Sequence, residues 1–318
     1  DWRKRDMREL RIDGTLILAV DHGYGNIKTA NTVFSNGFVE RDTEPVMSTD
    51  YLYYGGKYYV LDQGHKNYTK DKVMDNDFYI LTVAAIAKEL YLRNVRCEKI
   101  HLAVGVPLKW MDSQKESFQA YMLQNSEIRF VYKGRIFEVE IEGCSVMPQC
   151  YAAVAELLPE FKGLNMIVDI GNGTMNAMFL QDGRPVENKM WTELFGVRQC
   201  ALKIHQTLLD KFQEDVPDSI INTFLMNRMA DIDPEYEYWM EATAKEYVRE
   251  LTAKIFDFGY NEKTMKMYVL GGGAKLLEHF SIFDRSRITF NFDINANAKG
   301  YEYFCYVALK KKKLGIAG

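Results

Sequence analysis

The sequence predicts an α/β protein made of two domains with similar topology. Three observations predict it. An apolar strand, an acidic residue, a glycine turn and a second strand occur in that order around residues 15–34 and again at 165–180. A third glycine run, Gly271-Gly272-Gly273-Ala274, lies between a short apolar strand and a helix. The chain has 318 residues, too many for one small core and suited to two. Recurrence of a supersecondary unit implies that the topology is used twice.

Composition narrows the classes. Hydrophobic residues make up 47% and charged residues 26%, an ordinary globular balance that argues against long disordered arms. The formal charge of −4 offers no basic excess for a large nucleic-acid face, so work on DNA would go through an adaptor. The five cysteines, Cys97, Cys144, Cys150, Cys200 and Cys305, are scattered without a CxxC pair and read as reduced core thiols. His22, His65, His101, His205 and His279 show no ligand spacing for a transition metal. Residues 1–13 are charged and lack the apolar run of a signal peptide, and no stretch approaches the ~20 apolar residues of a membrane span. A cytoplasmic protein is expected.

Taken in order, residues 15–21 (TLILAVD) form an apolar run that suits a buried strand, and HGYGN at 22–26 is a turn before extended character resumes over 27–34. The tyrosine-rich stretch within 40–63 reads as a hairpin turning at Gly55-Gly56. Residues 78–92 have helical spacing, and 99–106 form a strand ended by Pro107. A helix over 113–123 and a hairpin over 130–141, turning at Lys133-Gly134, follow. Residues 148–158 read as a helix with Pro148 at its start, where the missing N–H costs least.

The opening pattern then returns: a strand at 165–170, the turn GNGT at 171–174, and a strand at 175–180. Helices are expected over 192–212, entered near Gly196, then 218–230 and 236–256, the last two separated by Pro234. A strand at 265–270 leads into the glycine run and a helix at 275–280. A short strand at 287–292 and a basic-ended C-terminal helix at 297–312 complete the chain.

The chemistry concentrates in the glycine turns. Phosphate oxygens need closely approaching backbone N–H donors, and glycine permits both the approach and the tight turn. In Asp21-His22-Gly23-Tyr24-Gly25-Asn26-Ile27-Lys28 the acid at the strand end suits hydrated Mg²⁺, and Lys28, on the facing strand, can reach back as a point charge. Asp169-Ile170-Gly171-Asn172-Gly173-Thr174 repeats the acid and the two glycines and adds a small hydroxyl. Either unit alone reads equally as a plain hairpin turn; two of them facing each other would grip a phosphate chain from both sides. The run at Gly271–Gly273 lacks full GxGxxG spacing and fits a place where a nucleoside lies flat against backbone.

In this order the three glycine motifs resemble the actin, heat-shock chaperone and sugar-kinase superfamily. Within it the segments AVDHGYGNIK, VGVPL, VMPQCYAAV, IVDIGNGTMNAMFL, YVLGGGAKLL and ANAKGYEYF are similar to the bacterial plasmid-segregation actins of the ParM/StbA group. The resemblance implies an actin-like (ribonuclease H-like) fold: two domains, each a mixed sheet flanked by helices, with a nucleotide cleft between them. Domain I would be residues 1–158 plus 297–318, with a small inserted subdomain at about 38–75, and domain II residues 159–296.

By the same resemblance Asp21 and Asp169 would hold the water shell of Mg²⁺. Gly23, Tyr24, Gly25 and Asn26 would form the first phosphate loop, Lys28 would touch the outer phosphates, and Gly171, Asn172, Gly173 and Thr174 would form the second loop. Gly271, Gly272 and Gly273 would back the adenosine. Gln149 would orient the attacking water from the start of the helix that crosses between domains; a helix N-terminal residue satisfying backbone donors is the plainer reading. The implied cofactors are Mg²⁺ and ATP, with GTP as the alternative triphosphate. The implied activity is slow ATP hydrolysis coupled to filament assembly. The implied partners are further copies of the chain and a DNA-binding adaptor of ParR type, with no direct nucleic acid and no membrane.

Three rival readings follow from the superfamily. A small-molecule kinase needs a catalytic carboxylate where Gln149 stands. A chaperone-type ATPase would add a peptide-binding domain after the last helix. A membrane-bound cell-shape actin needs an apolar anchor, for which Trp2, Met7 and Leu10 are the candidates. Two features invite a functional reading they do not require. The run Lys310 to Lys313 suits a solvated helix end, and tyrosines 51, 53, 54, 58 and 59 suit either a two-faced hairpin or an assembly contact.

Overall fold

The computed structural model describes residues 7–63 and 76–315. Residues 64–75 of the expected inserted subdomain, and Trp2 of the expected anchor, lie outside the described residues. The chain forms two compact units, Asp1–Glu156 with Asn295–Gly318, and Leu157–Ile294.

In chain order the first unit contains β1 (Leu10–Ile12), β2 (Thr15–His22), β3 (Asn26–Lys28), β4 (Val33–Ser35), β5 (Phe38–Arg41), β6 (Tyr51–Tyr54), β7 (Lys57–Leu61), α1 (Asp77–Arg93), β8 (Cys97–Pro107), α2 (Met111–Met122), β9 (Glu127–Tyr132) and β10 (Arg135–Gln149). The second contains β11 (Leu164–Ile170), β12 (Met175–Gln181), β13 (Arg184–Glu193), α3 (Val197–Phe212), α4 (Asp218–Asn227), α5 (Pro234–Asp257), β14 (Lys266–Leu270), α6 (Ala274–Phe280) and β15 (Ile288–Phe290). The chain then returns to the first unit as α7 (Ala296–Lys313).

The two sheets carry the repeat. In the first unit the order β4-β3-β2-β8-β10 has two antiparallel and then two parallel neighbours. In the second, β13-β12-β11-β14-β15 has the same sequence of directions. The first sheet continues past β10 through β9, β6, β7 and β5, so the tyrosine-rich hairpin extends the main sheet. There Tyr58 lies 4.6 Å from its cross-strand partner Tyr53 and 5.7 Å from Tyr51, the diagonal neighbour on the same face, ring centre to ring centre.

Residue alternation on β2 assigns the layers. Leu16, Leu18 and Val20 enter a core shared with α1 and α2. Ile17 and Ala19 point to the other face, where they meet Ala298, Tyr301 and Cys305 of α7. Strands buried on both faces read as continuous apolar runs, which is why TLILAV stood out. In the second unit Met166, Val168 and Ile170 pack with α3, α4, α5 and α6.

Four expectations are corrected. Residues 148–158 do not begin a helix at Pro148. β10 stays paired with β8 through Pro148↔Val106 and Gln149↔Pro107, and only then do Ala152–Glu160 form a 3₁₀ turn. Proline tolerates a strand end as well as a helix start, and Pro159 removes a donor from the segment that follows. The extended stretch 27–34 is two short strands, broken where the Thr29 N–H donates to the Thr32 carbonyl at 2.9 Å. Thr192 belongs to β13 rather than to a helix; this largely exposed strand, with Pro185 and a left-handed Asn188 (φ 57°), lacks the alternation that reveals a strand. Cys97 is exposed, whereas the other four cysteines are buried.

Candidate functional site

The parallel strands of each unit deliver the predicted residues at their C-terminal ends, where open α/β sheets place ligands. In the first unit Asp21 lies one residue before the end of β2, and Gln149 is the last residue of β10. Lys28 sits opposite Asp21 in the β2–β3 register. The Asp21 carboxylate is buried, at 3% exposure. Its Oδ2 accepts from Lys28 Nζ at 3.4 Å, and its Oδ1 accepts from Gln149 Nε2 at 3.0 Å. Gln149, expected at a helix start, thus reaches the acid from a strand end. That bond uses one of the two N–H donors of the Gln149 amide and leaves its carbonyl oxygen as an acceptor.

The first hairpin is held by a residue the sequence reading missed. Asn36, fully buried, donates its backbone N–H to the Gly25 carbonyl at 3.0 Å and its side-chain amide to the Gly23 carbonyl at 2.7 Å. In a trans peptide the carbonyl and the following N–H point opposite ways. Tying these carbonyls inward therefore turns the Tyr24 and Asn26 N–H groups away from Asn36. Gly23 has no room for a side chain, since a Cβ would stand 2.8 Å from the Asn26 carbonyl oxygen.

The second hairpin is tied by a helix. Val197 N–H donates to the Gly171 carbonyl at 3.1 Å and Arg198 N–H to the Asn172 carbonyl at 2.9 Å. The first turn of α3 thus finds acceptors for its orphan donors in the hairpin, and the Asn172 and Gly173 N–H groups point the other way. Gly196 makes this approach: a Cβ there would lie 2.2 Å from the Asn172 carbonyl oxygen. Tyr247 holds the junction by donating its hydroxyl to the Gly196 carbonyl at 2.8 Å. Gly171 N–H closes the turn on the Thr174 carbonyl at 2.8 Å, and Thr174 is buried at its inner edge. Asp169, 6% exposed, pairs across the hairpin with Asn176, the position that Lys28 holds in the first unit.

The glycine run after β14 packs on this second hairpin. Gly271 adopts φ +85°, and a Cβ on it would stand 2.5 Å from Asp169 Oδ1. Gly273 N–H donates to the Ile170 carbonyl at 2.8 Å, and a Cβ there would meet Ile170 Cγ2 at 2.2 Å. Gly272 alone of the three has open space beside it. The structure thus brings Gly271, Gly272 and Gly273 together with Asp169, Gly171, Asn172, Gly173 and Thr174 in one unit. It gathers Asp21, Gly23, Tyr24, Gly25, Asn26, Lys28 and Gln149 in the other.

Among the described residues no group of three or more His, Cys, Asp or Glu side chains is arranged to enclose a metal ion. Single buried carboxylates at strand ends fit Mg²⁺, which keeps several waters and takes one or two protein carboxylates. A depression of about 780 Å³ lined by Cys97, Glu98, Arg129 and Glu138 lies at the N-terminal end of β8, away from Asp21 and Gln149. No helix among the described residues is long and apolar enough to cross a membrane.

Residues 19–151 match the family model described as actin like proteins N terminal domain. No curated protein matches the chain. Among solved structures, an archaeal actin homolog, Ta0583, in complex with ADP is 16% identical, covering 90% of this chain and 98% of its own, with a TM-score of 0.71. A Bacillus thuringiensis ParM with ATP is 13% identical, covering 95% of this chain and 100% of its own, with a TM-score of 0.65. An Alp12 filament structure is 16% identical, covering 92% of this chain and 98% of its own, with a TM-score of 0.66. The chain has the actin-like fold, and its residues 19–151 carry the sequence signature of the actin-like N-terminal domain.

Proposed function

We propose that the chain is an actin-like ATPase that assembles into filaments when it binds Mg²⁺ and ATP. The observation that carries this reading is the pair of acid–glycine hairpins. Asp21 and Asp169 occupy equivalent strand ends, and each hairpin has its carbonyls tied inward and N–H groups turned the other way. Tyr24, Asn26, Asn172 and Gly173 N–H groups would receive phosphate oxygens, and Lys28 would supply charge to the outer phosphates. Gly271, Gly272 and Gly273 would lie against the nucleoside. Asp21 and Asp169 would hold Mg²⁺ through water, and the ion would neutralise charge on the phosphate oxygens.

Gln149 would hold the attacking water through its carbonyl oxygen. A glutamine is no strong base, so it contributes position. That suffices for a loose phosphoryl-transfer transition state, where orientation and charge neutralisation do most of the catalysis. Hydrolysis removes the γ-phosphate and with it contacts that favour the assembling conformation, a population shift by differential contacts. The archaeal homolog solved with ADP, the ParM solved with ATP and the Alp12 filament support nucleotide binding and self-assembly here. The cellular work we assign is plasmid DNA segregation through a DNA-binding adaptor of ParR type, in the cytoplasm.

Right-angle light scattering after addition of Mg-ATP, with Mg-ADP and Mg-GTP as controls, tests the reading. A rise with triphosphate that decays as phosphate appears is the expected result, and Asp169→Ala abolishes it. ATP turnover with no rise at any protein concentration would overturn the filament reading in favour of a small-molecule kinase.

A further inference from the structure

The first two turns of α7 reach the Asp21–Gln149 pair from the face of the sheet opposite α1 and α2. Strand alternation turns Asp21 to that face, together with Ile17 and Ala19. Beside Asp21 the residues under α7 are small: Ala19, Ala103 and Gly105 on neighbouring strands β2 and β8. Small residues let the helix approach closely, and at two positions the approach leaves no space. A Cβ on Gly105 would fall 2.2 Å from both Cζ and the hydroxyl oxygen of Tyr301. A Cβ on Gly300 would fall 1.8 Å from the Ala152 carbonyl oxygen.

Tyr301 is fully buried, and its hydroxyl lies 3.4 Å from Asp21 Oδ1, the oxygen that also accepts from Gln149. One turn earlier, Asn297 Oδ1 accepts from the Cys150 N–H at 3.0 Å. Cys150 follows Gln149 directly and is held at φ 70°, a conformation rare for a side-chain-bearing residue. Asn295 donates to the carbonyl of Thr29, the residue after Lys28, at 2.7 Å. One short stretch, residues 295–301, therefore touches the backbone beside Gln149, the backbone beside Lys28, and the Asp21 carboxylate itself.

We propose that Tyr301 is a positioning residue for the metal-facing acid, its phenol fixing the Asp21 carboxylate from beneath through the space that Gly105 leaves open, while Asn297 separately fixes the turn that carries Gln149. This rests on the nucleotide-binding reading above. A phenol on Oδ1 shares that oxygen with Gln149, and together they hold the carboxylate plane so that Oδ2 stays towards Lys28. Without the phenol the carboxylate keeps its place in the strand but gains rotational freedom, so hydrated Mg²⁺ meets a less ordered acceptor.

Tyr301→Phe removes one oxygen and keeps the ring that fills the space over Gly105. Binding of methylanthraniloyl-ATP by the full chain is measured as a function of Mg²⁺, with phosphate release at saturating Mg²⁺ beside it. Tyr301→Phe should raise the Mg²⁺ concentration for half-saturation by about threefold, the loss of one long hydrogen bond, with metal-free nucleotide binding changed by less than about 1.5-fold. Asn297→Ala should lower phosphate release and leave the Mg²⁺ half-saturation where it is. An unchanged half-saturation in Tyr301→Phe, or an equal shift in Asn297→Ala, would overturn the positioning role and leave the functional reading intact. A wild-type chain that binds no nucleotide with or without Mg²⁺ would overturn both.

Discussion

Gly300→Ala sets two magnitudes against each other. Gly300 lies inside α7, where alanine is favoured over glycine by about 1 kcal/mol from helix propensity alone. Against that, the new methyl would stand 1.8 Å from the Ala152 carbonyl oxygen and 2.3 Å from its carbon. Ordinary van der Waals contact begins near ~3.5 Å, so helix and turn must separate by more than an ångström. Both sides of the clash are backbone, and no rotamer change relieves it. Overpacking costs about 1–3 kcal/mol, and a clash this close against backbone falls in the upper part of that range, beyond the propensity gain. The expected net loss, up to about 2 kcal/mol, lowers the thermal transition by up to roughly 8 °C for a unit of this size. Residues 297 and 301 flank the site of separation, so nucleotide-dependent phosphate release should fall in the protein that remains folded. Thermal unfolding followed by circular dichroism reads the first effect, and phosphate release well below the transition reads the second. A rise in the transition temperature would show that α7 does not sit on the 150–152 turn, and the close-approach reasoning would fail with it.

Gly272→Ala should behave oppositely: with open space at its Cβ, stability should stay within about 0.5 kcal/mol, while nucleotide affinity falls because the methyl occupies the proposed nucleoside surface. A parallel loss of stability would place Gly272 in the packing instead. Glu302→Gln should flatten the pH dependence of stability. Burial, and next the neighbouring Glu89, push the Glu302 carboxyl up to about 8 from an ordinary 4.5, although Arg8 pulls the other way. The folded chain therefore keeps a proton that the unfolded chain releases. Stability from this group falls as pH rises from 4.5 to 8, by at most about 1.4 kcal/mol per pH unit. Denaturant midpoints at pH 5.5 and pH 8 should show the variant gaining on the wild type at the higher pH, and an unchanged gap would mean that Glu302 is ionised in the native state.

What was legible in the sequence was what strong local patterns encode. β2 and β11 appear as apolar runs because both faces of each are covered, and Asp21 and Asp169 appear because an acid ends each run. The glycine turns were visible because backbone approach leaves a residue-type signature. The residues that hold those turns were not. Asn36 lies in Ser35-Asn36-Gly37, which reads as an ordinary turn, and nothing local says that its amide reaches Gly23. Tyr301 was one aromatic in an amphipathic helix, and its link to Asp21 spans most of the chain. Gln149 was placed on the wrong element because Pro148 fits a strand end as readily as a helix start, and only pairing with β8 distinguishes them. Tertiary hydrogen bonds and strand register, not composition, decided these cases.

The two units share a five-strand order, yet they solve the hairpin problem with different parts, and the difference bears on function. In each, the turn carbonyls are satisfied from within the unit, which turns the following N–H groups the other way. The first unit uses one buried side chain, Asn36, and the second uses the N-terminus of α3. A helix N-terminus brings a positive end of its dipole to the hairpin, so the second unit already carries a diffuse positive field where phosphates would sit. In the first, Asn36 rather than a helix N-terminus ties the Gly23 and Gly25 carbonyls, and a discrete charge, Lys28, stands at the position where the second has the neutral Asn176. Asn176 accepts from Thr192 at 2.9 Å, so its side chain is committed to the β12–β13 edge. The units thus share a strand order but tie their hairpins, and place their nearest cation, differently. Moving the cation to the second hairpin, as in Lys28→Asn with Asn176→Lys, would place charge where the dipole already acts and leave none on the first. Mg-ATP binding should then be weaker in the exchanged variant than in the wild type although net charge is unchanged, and equal binding would show that only the total charge of the site matters.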